Sequence, residues 1–278
     1  MTSQSEKARA FQALHARPGC FIIPNPWDAG TARLLASLGF EALATTSAGF
    51  AFSLGRPDAE GAVNRDETLA NARAIVEATD LPVSADLENG FGDPPEVCAD
   101  TIQHAAAIGL VGGSIEDATG LSAAPIYAFD QAVDRVRAAV HAARSLSFPF
   151  MLTARAENYL HGRADLADTI KRLQAFQAAG ADVLYAPGLR SREDIATVVR
   201  AVDRPVNVVM GLKGPRITVT ELAEIGVKRI SVGSALARAA LGAFMRASRE
   251  IRERGTFEFA SDAVPFAELN ALFQPRTR

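Results

Sequence analysis

Short apolar runs alternate along this chain with longer stretches in which apolar residues return every three or four positions. The runs begin near residues 21, 42, 82, 112, 149, 182, 205 and 229, and each has the length of a strand. Segments between them, such as DAGTARLLASL, AVDRVRAAVHAARS and LADTIKRLQAFQAA, carry the spacing of amphipathic helices. Four helix-like segments close on a glycine that feeds the next run, Gly39, Gly109, Gly180 and Gly226, which predicts left-handed C-terminal caps. Three other runs open on Pro82, Pro149 and Pro205, where a missing N–H costs least.

Short apolar strands separated by amphipathic helices imply parallel pairing under a helical cover. Eight such units in 278 residues predict one α/β domain over 1–278, a (β/α)8 TIM-type barrel. No G-x-G-x-x-G follows the first run, so a dinucleotide-binding doubly wound sheet lacks its signature. The stretch from about 255 to 278 follows the eighth helix and carries Phe257, Phe259, Phe266 and Phe273. It predicts an arm packed on the barrel exterior or on a partner subunit.

Composition narrows the function classes. A hydrophobic content of 48% suits a substantial core, and a net charge of −3 with no basic run speaks against nucleic acid. The N-terminal segment has scattered charges and no apolar core, and no apolar run has membrane-spanning length, which predicts a cytoplasmic protein with no membrane partner. Cys20 and Cys98 lie far apart in no ligand spacing and read as packed small hydrophobes.

Sites on this fold lie at the C-terminal ends of the strands. Those ends supply Asn25 and Trp27, then Thr45, Thr46 and Ser47, then Asp86 and Glu88, Glu116 and Asp117, Arg155 with Glu157 and Asn158, and Asn207. Carboxylates facing one another repel unless a cation lies among them, and oxygen donors alone favour a hard ion, so Mg2+ is the expected cofactor. Arg155 is a candidate grip for a substrate carboxylate or phosphonate, and Thr45, Thr46 and Ser47 offer donors to a carboxylate or developing oxyanion. Gly90 and Gly92 read as a turn that leaves room for the ligand. The set suits a small anionic substrate and enolate stabilisation of a 2-oxo acid. Plainer roles compete: ion pairing for Asp86, Glu88 and Arg155, helix capping for Glu116 and Asp117, a turn for Asp58.

The order TTS, SLGRPD, DLENGFG, SIED, TAR and PVNV, from about Phe21 to Arg238, resembles the isocitrate lyase/phosphoenolpyruvate mutase superfamily. The resemblance implies a Mg2+-dependent enzyme that breaks or makes a C–C or P–C bond through an enolate-like species. It implies Asp86, Glu88 and Glu116 as the metal-associated residues, with Glu116 reached through water. It places Thr45, Thr46, Ser47, Asp86, Arg155 and Asn207 at the substrate, with Asp58, Arg155 and Thr45 as catalytic candidates. It also implies a homo-oligomer, dimer or tetramer, that exchanges its eighth helix.

Departures from the pattern shape the functional expectation. The lyases of this superfamily carry K-[KR]-C-G-H after the fourth strand and the phosphonomutases place Lys and Asn in the same loop; here that region reads EDATGLSAAPIYAFDQAV. Strand six ends at Pro187 where the lyases have a glutamate. His161, in ENYLHGRAD, and Tyr127, in the lid region, are candidate acids or bases, and Ser122 is a polar lid residue. The leading expectation is a Mg2+-dependent C–C lyase acting by decarboxylation or retro-aldol cleavage, since decarboxylation tolerates loss of a lid acid best. The alternatives are a phosphonate-processing enzyme and a 2-oxo acid binding protein without turnover.

Overall fold

Each of the eight apolar runs forms a strand: β1 (Phe21–Ile23), β2 (Leu43–Ala44), β3 (Val83–Asp86), β4 (Gly112–Glu116), β5 (Met151–Arg155), β6 (Val183–Tyr185), β7 (Val206–Val209) and β8 (Arg229–Ser231). The computed structural model describes residues 2–58, 61–211 and 216–274. All pairings are parallel in the order β1-β8-β7-β6-β5-β4-β3-β2. The seam between β1 and β2 carries one backbone bond, from the Ala44 N–H to the Pro24 carbonyl at 3.0 Å. Asn25 closes it at the top: its Oδ1 accepts from the Val232 and Gly233 N–H groups, both at 2.9 Å, and its Nδ2 donates to the Thr45 carbonyl at 2.9 Å. A residue read at the rim is therefore a stitch across three strands.

The helices are α1 (Gln4–Ala16), α2 (Ala29–Ser37), α3 (Ser47–Ser53), α4 (Arg65–Ala78), α5 (Pro95–Ala107), α6 (Phe129–Arg144), α7 (Leu166–Ala178), α8 (Arg192–Ala201), α9 (Val219–Glu224), α10 (Ala235–Arg254) and α11 (Phe266–Leu272). Ser3, Asp28, Asn64 and Thr218 begin helices with reciprocal capping boxes, so local chemistry sets those starts. The glycines expected as caps, Gly39, Gly109, Gly180 and Gly226, all adopt φ between 84° and 104°. The helix–sheet layer is filled by buried apolar side chains such as Leu43, Ile75, Ile102, Leu152, Phe176 and Val198.

The N-terminal segment has a structural role its scattered charges did not announce. Helix α1 plugs the lower end of the barrel: Ala8, Phe11 and Leu14 pack with Phe21, Ile23, Val111, Met151 and Val183 at the strand starts. His15 sits in this plug edge-on to Phe11 and Phe21, and its Nδ1 donates to the Phe11 carbonyl at 2.8 Å. Its Nε2 is buried without a partner. Burial, and then the nearby Arg229 charge, lower its pKa to about 3.

At the other end of the chain, α10 leaves the barrel with only Ala237 and Glu250 buried among its residues. The arm folds back so that Arg33 of α2 donates to the carbonyls of Leu272, Phe273 and Gln274 at 2.9, 3.2 and 2.7 Å. Packing on the barrel thus holds the end of the arm, while Phe257 and Phe266 remain exposed. Residues 275–278 of the expected arm lie outside the described residues. Among the described residues no helix is long and apolar enough to cross a membrane.

The His15 plug makes one prediction. Its folded pKa is depressed, so folding excludes a proton that the unfolded chain binds, and stability falls as pH drops from 6.5 towards about 3. The slope from this group reaches about 1.4 kcal/mol per pH unit. Denaturant titrations across that window are expected to show a shallower acid loss in His15→Phe.

Candidate active site

Parallel register builds the site. Across the sheet Glu116 pairs with Arg155, Arg155 with Tyr185, Tyr185 with Asn207, and Asn207 with Arg229. Side chains at paired positions share a face, so this row turns into the barrel together. A second row, Asp86, Ser114 and Thr153, lies two residues deeper along β5 and faces the same way. Residues scattered over more than a hundred positions meet at one mouth.

Arg155 is the centre. Its Nη1 donates to Asp86 Oδ1 at 2.9 Å, its Nε to Glu157 Oε1 at 2.9 Å, and its Nη2 lies 3.1 Å from Glu116 Oε2. Its guanidinium also lies over the Tyr185 ring, 5.1 Å from the centroid. Burial alone would favour losing the charge, but Glu116, Glu157 and Asp86 outweigh it and hold the pKa well above the ordinary arginine value. All three nitrogens are therefore engaged by protein carboxylates. Of the two roles set out for Arg155, substrate grip and ion pair, the structure shows the second: it holds three acids together.

Four carboxylates, those of Asp58, Glu88, Glu116 and Glu157, line a cavity of about 1040 Å³ together with Arg155, and a fifth, Asp86, binds the same guanidinium from the smaller cavity beside it. Burial first, and then the charges of Asp86 and Asp58, raise Glu88 to about 7. Burial also pushes Glu116 well up, against the pull of Arg155. Partial desolvation and the Asp86 charge raise Asp58 at the cavity wall. The Arg65 guanidinium, also on the wall, is paired with Asp100 at 2.6 Å. The centre thus holds more negative charge than its own cation neutralises. Among the described residues, no three His, Cys, Asp or Glu side chains form a ready-made metal cluster.

The segment after β2 meets Asp86 from the side. Ser47 Oγ donates to Asp86 Oδ2 at 2.9 Å, with its N–H at 3.4 Å, and Thr45 Oγ1 accepts from the Asp86 N–H at 2.9 Å. Thr46 caps α3, its hydroxyl accepting from Gly49 N–H at 3.2 Å, so of the three hydroxyls only this one is spent on secondary structure. Asn207 accepts from Arg229 Nε at 2.8 Å and donates to Ser231 Oγ at 3.0 Å, which makes it a link in the barrel's interior. It also lines a smaller cavity of about 150 Å³ with Thr45, Thr46, Ser47, Asp86 and Arg155.

Other expectations separate here. Asp117 is buried away from the cavity, bonded to Arg172 at 3.0 Å and to the Glu157 N–H at 2.8 Å, so its role is structural. Asn158 is spent on Asp168 at 2.7 Å. Tyr127 donates to Asp93 Oδ1 at 2.5 Å and is buried, which removes it as a free acid, whereas His161 lines the cavity. The glycine reading needs correction. A Cβ on Gly90 would meet Cys98 Sγ at 2.9 Å and one on Gly92 would meet Val97 at 2.8 Å, so both glycines admit α5, and of the two only Gly92 also lines the cavity. Glu157 was read at the rim but not as a member of the site; its place two residues after Arg155 on a strand was the available signal.

Residues 11–252 match the family model for phosphoenolpyruvate phosphomutase. The chain belongs to this family. It lies within the isocitrate lyase/phosphoenolpyruvate mutase superfamily. A solved Burkholderia cenocepacia protein, named only as a lyase/mutase, is 63% identical with a TM-score of 0.96, covering 98% of this chain and 97% of that one. Oxaloacetate decarboxylase of Chromohalobacter salexigens is 28% identical over 90% of this chain and 87% of its own. Oxaloacetate acetylhydrolase, solved with its product oxalate, is 28% identical with a TM-score of 0.88 over 98% of this chain and 95% of that one. The chain thus shares the barrel of these relatives over nearly its whole length.

The charge excess makes a prediction for the metal-free protein. The folded pKa of Glu88 is raised from 4.5 to about 7, so the stability its protonation contributes is present below pH 4.5 and is lost as pH rises through about 7. In EDTA, Glu88→Gln is expected to flatten this decline when unfolding is compared at pH about 5 and about 7.5.

Proposed function

We propose that the protein is a Mg2+-dependent lyase that cleaves a carbon–carbon bond in a small 2-oxo dicarboxylate, with decarboxylation of an oxaloacetate-type substrate as the reaction its site suits best. The observation that carries this reading is the under-neutralised group of five carboxylates around Arg155 at the strand ends. Mg2+ takes one or two carboxylates and keeps several waters, so Asp86 and Glu88 with Glu116 reached through water fit it without a three-residue clasp. When bound, the ion supplies positive charge at the substrate's 2-oxo oxygen.

The chain's own residues do the rest. Ser47 and Thr45 hold Asp86 from one side and Arg155 holds it from the other. Ser47 stands at the inner cavity, where its N–H, held to Asp86 only at 3.4 Å, is placed to donate to a substrate carboxylate or the forming enolate oxygen, its hydroxyl proton being already given to Asp86. The lid between Asp117 and Tyr127 is a small hairpin, with Thr119 N–H bonded to the Pro125 carbonyl at 2.9 Å and Ala118 bridged to Ile126. It brings Ala118, Thr119 and Gly120 to the cavity and no ionisable side chain. In decarboxylation the electrons of the broken bond stay on the oxo-acid carbon while CO2 departs, so no lid acid is needed for bond cleavage. The later proton has a candidate donor in His161, at the cavity edge.

Calorimetric titration of oxalate, a stable mimic of the pyruvate enolate, tests the reading. Binding is expected only with Mg2+ present, and Asp86→Ala is expected to weaken it at least about a hundredfold, since that removes a charge-assisted ligand. Oxaloacetate is then expected to yield pyruvate and CO2. Wild-type protein that binds no oxalate at any Mg2+ concentration overturns the site. Tight binding without turnover would favour a binding protein, and conversion of phosphonopyruvate seen by phosphorus NMR would favour phosphonate chemistry.

The reading includes a homo-oligomer built on α10. Leu241, Phe244, Met245 and Ile251 on this helix, with Phe257 and Phe266 beyond it, leave large apolar side chains in solvent; Phe244 is 69% and Phe266 85% exposed. The occupant we propose is a second copy of the chain. Sedimentation is expected to show a dimer or tetramer at micromolar concentration and a monomer for the double variant Phe244→Glu, Phe266→Glu. A monomeric wild type would exclude this assembly.

A further inference from the structure

The loop between β3 and α5 carries Glu88 to the site in an unfavourable conformation. Glu88, Gly90 and Phe91 have φ of 48°, 81° and 64°, so two residues with side chains and one glycine lie in the left-handed region within four positions. Such backbone persists only where its surroundings over-determine it. Within the loop, Gly90 N–H bonds to the Leu87 carbonyl at 2.8 Å and Phe91 N–H to Asn89 Oδ1 at 3.0 Å. Of the remaining carbonyls, that of Glu88 accepts from the Glu116 N–H at 3.0 Å and that of Gly90 from Thr101 Oγ1 at 2.9 Å, while those of Asn89, Gly92 and Asp93 turn away from the site, towards α6.

There they meet Arg135. Its side chain is 1% exposed, and its guanidinium donates to the carbonyls of Asn89 and Asp93 and, at 2.6 Å, to that of Gly92. No ion pair to Arg135 is found among the described residues. Instead its guanidinium lies over the Tyr127 ring, 4.2 Å from the centroid, and the Tyr127 hydroxyl bonds Asp93 of the same loop. Tyr127 is also the last residue of the lid, its N–H bonded to the Asp117 carbonyl at 2.8 Å and its own carbonyl accepting from Arg172 at 3.1 Å. A planar fork with five donors can hold three carbonyls of a tight turn while its face stacks on a ring, which the compact ammonium of lysine does not reproduce.

We propose that Arg135 is a positioning residue of the active site: it locks the left-handed turn that presents Glu88 and, through Tyr127 and Asp93, joins that turn to the base of the lid. It touches no substrate and acts through Glu88. The inference rests on the functional reading above for the consequence at the metal, and on the geometry alone for the lock.

The test uses Arg135→Lys, which keeps the charge but not the fork, and Tyr127→Phe, which keeps the ring under Arg135 and removes the bond to Asp93. Amide hydrogen exchange without metal or oxalate reads the lock, and oxalate calorimetry over a Mg2+ series reads its consequence. In Arg135→Lys, exchange over residues 88–93 is expected to quicken at least about tenfold relative to the barrel strands, and the Mg2+ needed for half-maximal oxalate binding to rise about tenfold. Adding Glu88→Gln to that variant is expected to cost much less than it does in wild type, because both changes disable one element. A folded Arg135→Lys whose thermal midpoint falls while loop exchange and Mg2+ requirement stay at wild-type values would overturn the proposal, as would full additivity with Glu88→Gln. Should Arg135→Lys not fold, Tyr127→Phe decides, with about threefold changes expected in both readouts and unchanged values overturning the idea. Wild-type protein that binds no oxalate would reject the functional reading, and loop exchange would still decide the lock.

Discussion

A single buried guanidinium among carboxylates governs the site. Asp86, Glu116 and Glu157 come from the ends of β3, β4 and β5, and their mutual repulsion would drive those ends apart. Arg155 lets them converge, and removing one partner from such a buried set costs about 3–5 kcal/mol because the others are left uncompensated. Yet one cation does not neutralise them, and burial first, with the neighbouring carboxylate charges behind it, raises the pKa of Glu88 and Glu116. The arrangement is stable enough to fold and unbalanced enough to recruit a cation or a proton.

Buried arginines recur as the means by which helices reach the strand ends. Arg135 of α6 holds backbone carbonyls of the loop after β3, and Arg172 of α7 holds Asp117 and the Tyr127 carbonyl at the base of the lid. Arg229 of β8 crosses the interior to Thr153 at 2.9 Å and to Asn207. None faces a surface acid alone; each satisfies polar groups that would otherwise be buried without partners. The catalytic end is thus supported from the helical layer and from inside the barrel. The apolar core below needs no such devices, because its strands carry only aliphatic side chains to the helices.

The lid adds little chemistry of its own to the mouth. Its hairpin is tied at both ends, by Asp117 and by Tyr127, and between them it offers only small and polar residues to the cavity. The mouth supplies charge stabilisation, and the lid is where a proton donor would have to be added for chemistry that needs one. An acidic centre under a lid without acid or base is a combination that favours bond cleavages with a neutral leaving group.

The strands, the glycine caps and the barrel were legible in the sequence because they rest on local patterns: every expected strand start lies within two residues of the observed one, and Gly39, Gly109, Gly180 and Gly226 are all left-handed. Asp86, Glu88, Glu116 and Arg155 were legible as a set, since a barrel topology dictates that strand ends share a mouth. Asn25, Gly90, Gly92 and Arg135 were not. The asparagine was read only as a rim residue and the glycines as making room for a ligand, but the first bonds backbone across the β1–β2 seam to residues over two hundred positions away, and the glycines also make room for Cys98 and Val97 of α5. Arg135 left one trace, a charge within three residues of Ala132 and Val136 on the buried face of α6, but which carbonyls it holds depends on how α6 packs over the loop after β3. Local propensity and periodicity decided which elements form and which residues stand at their ends. Only the tertiary packing decided which polar groups are consumed in holding the site and which remain for chemistry, because hydrogen-bond partners are assigned by proximity in space.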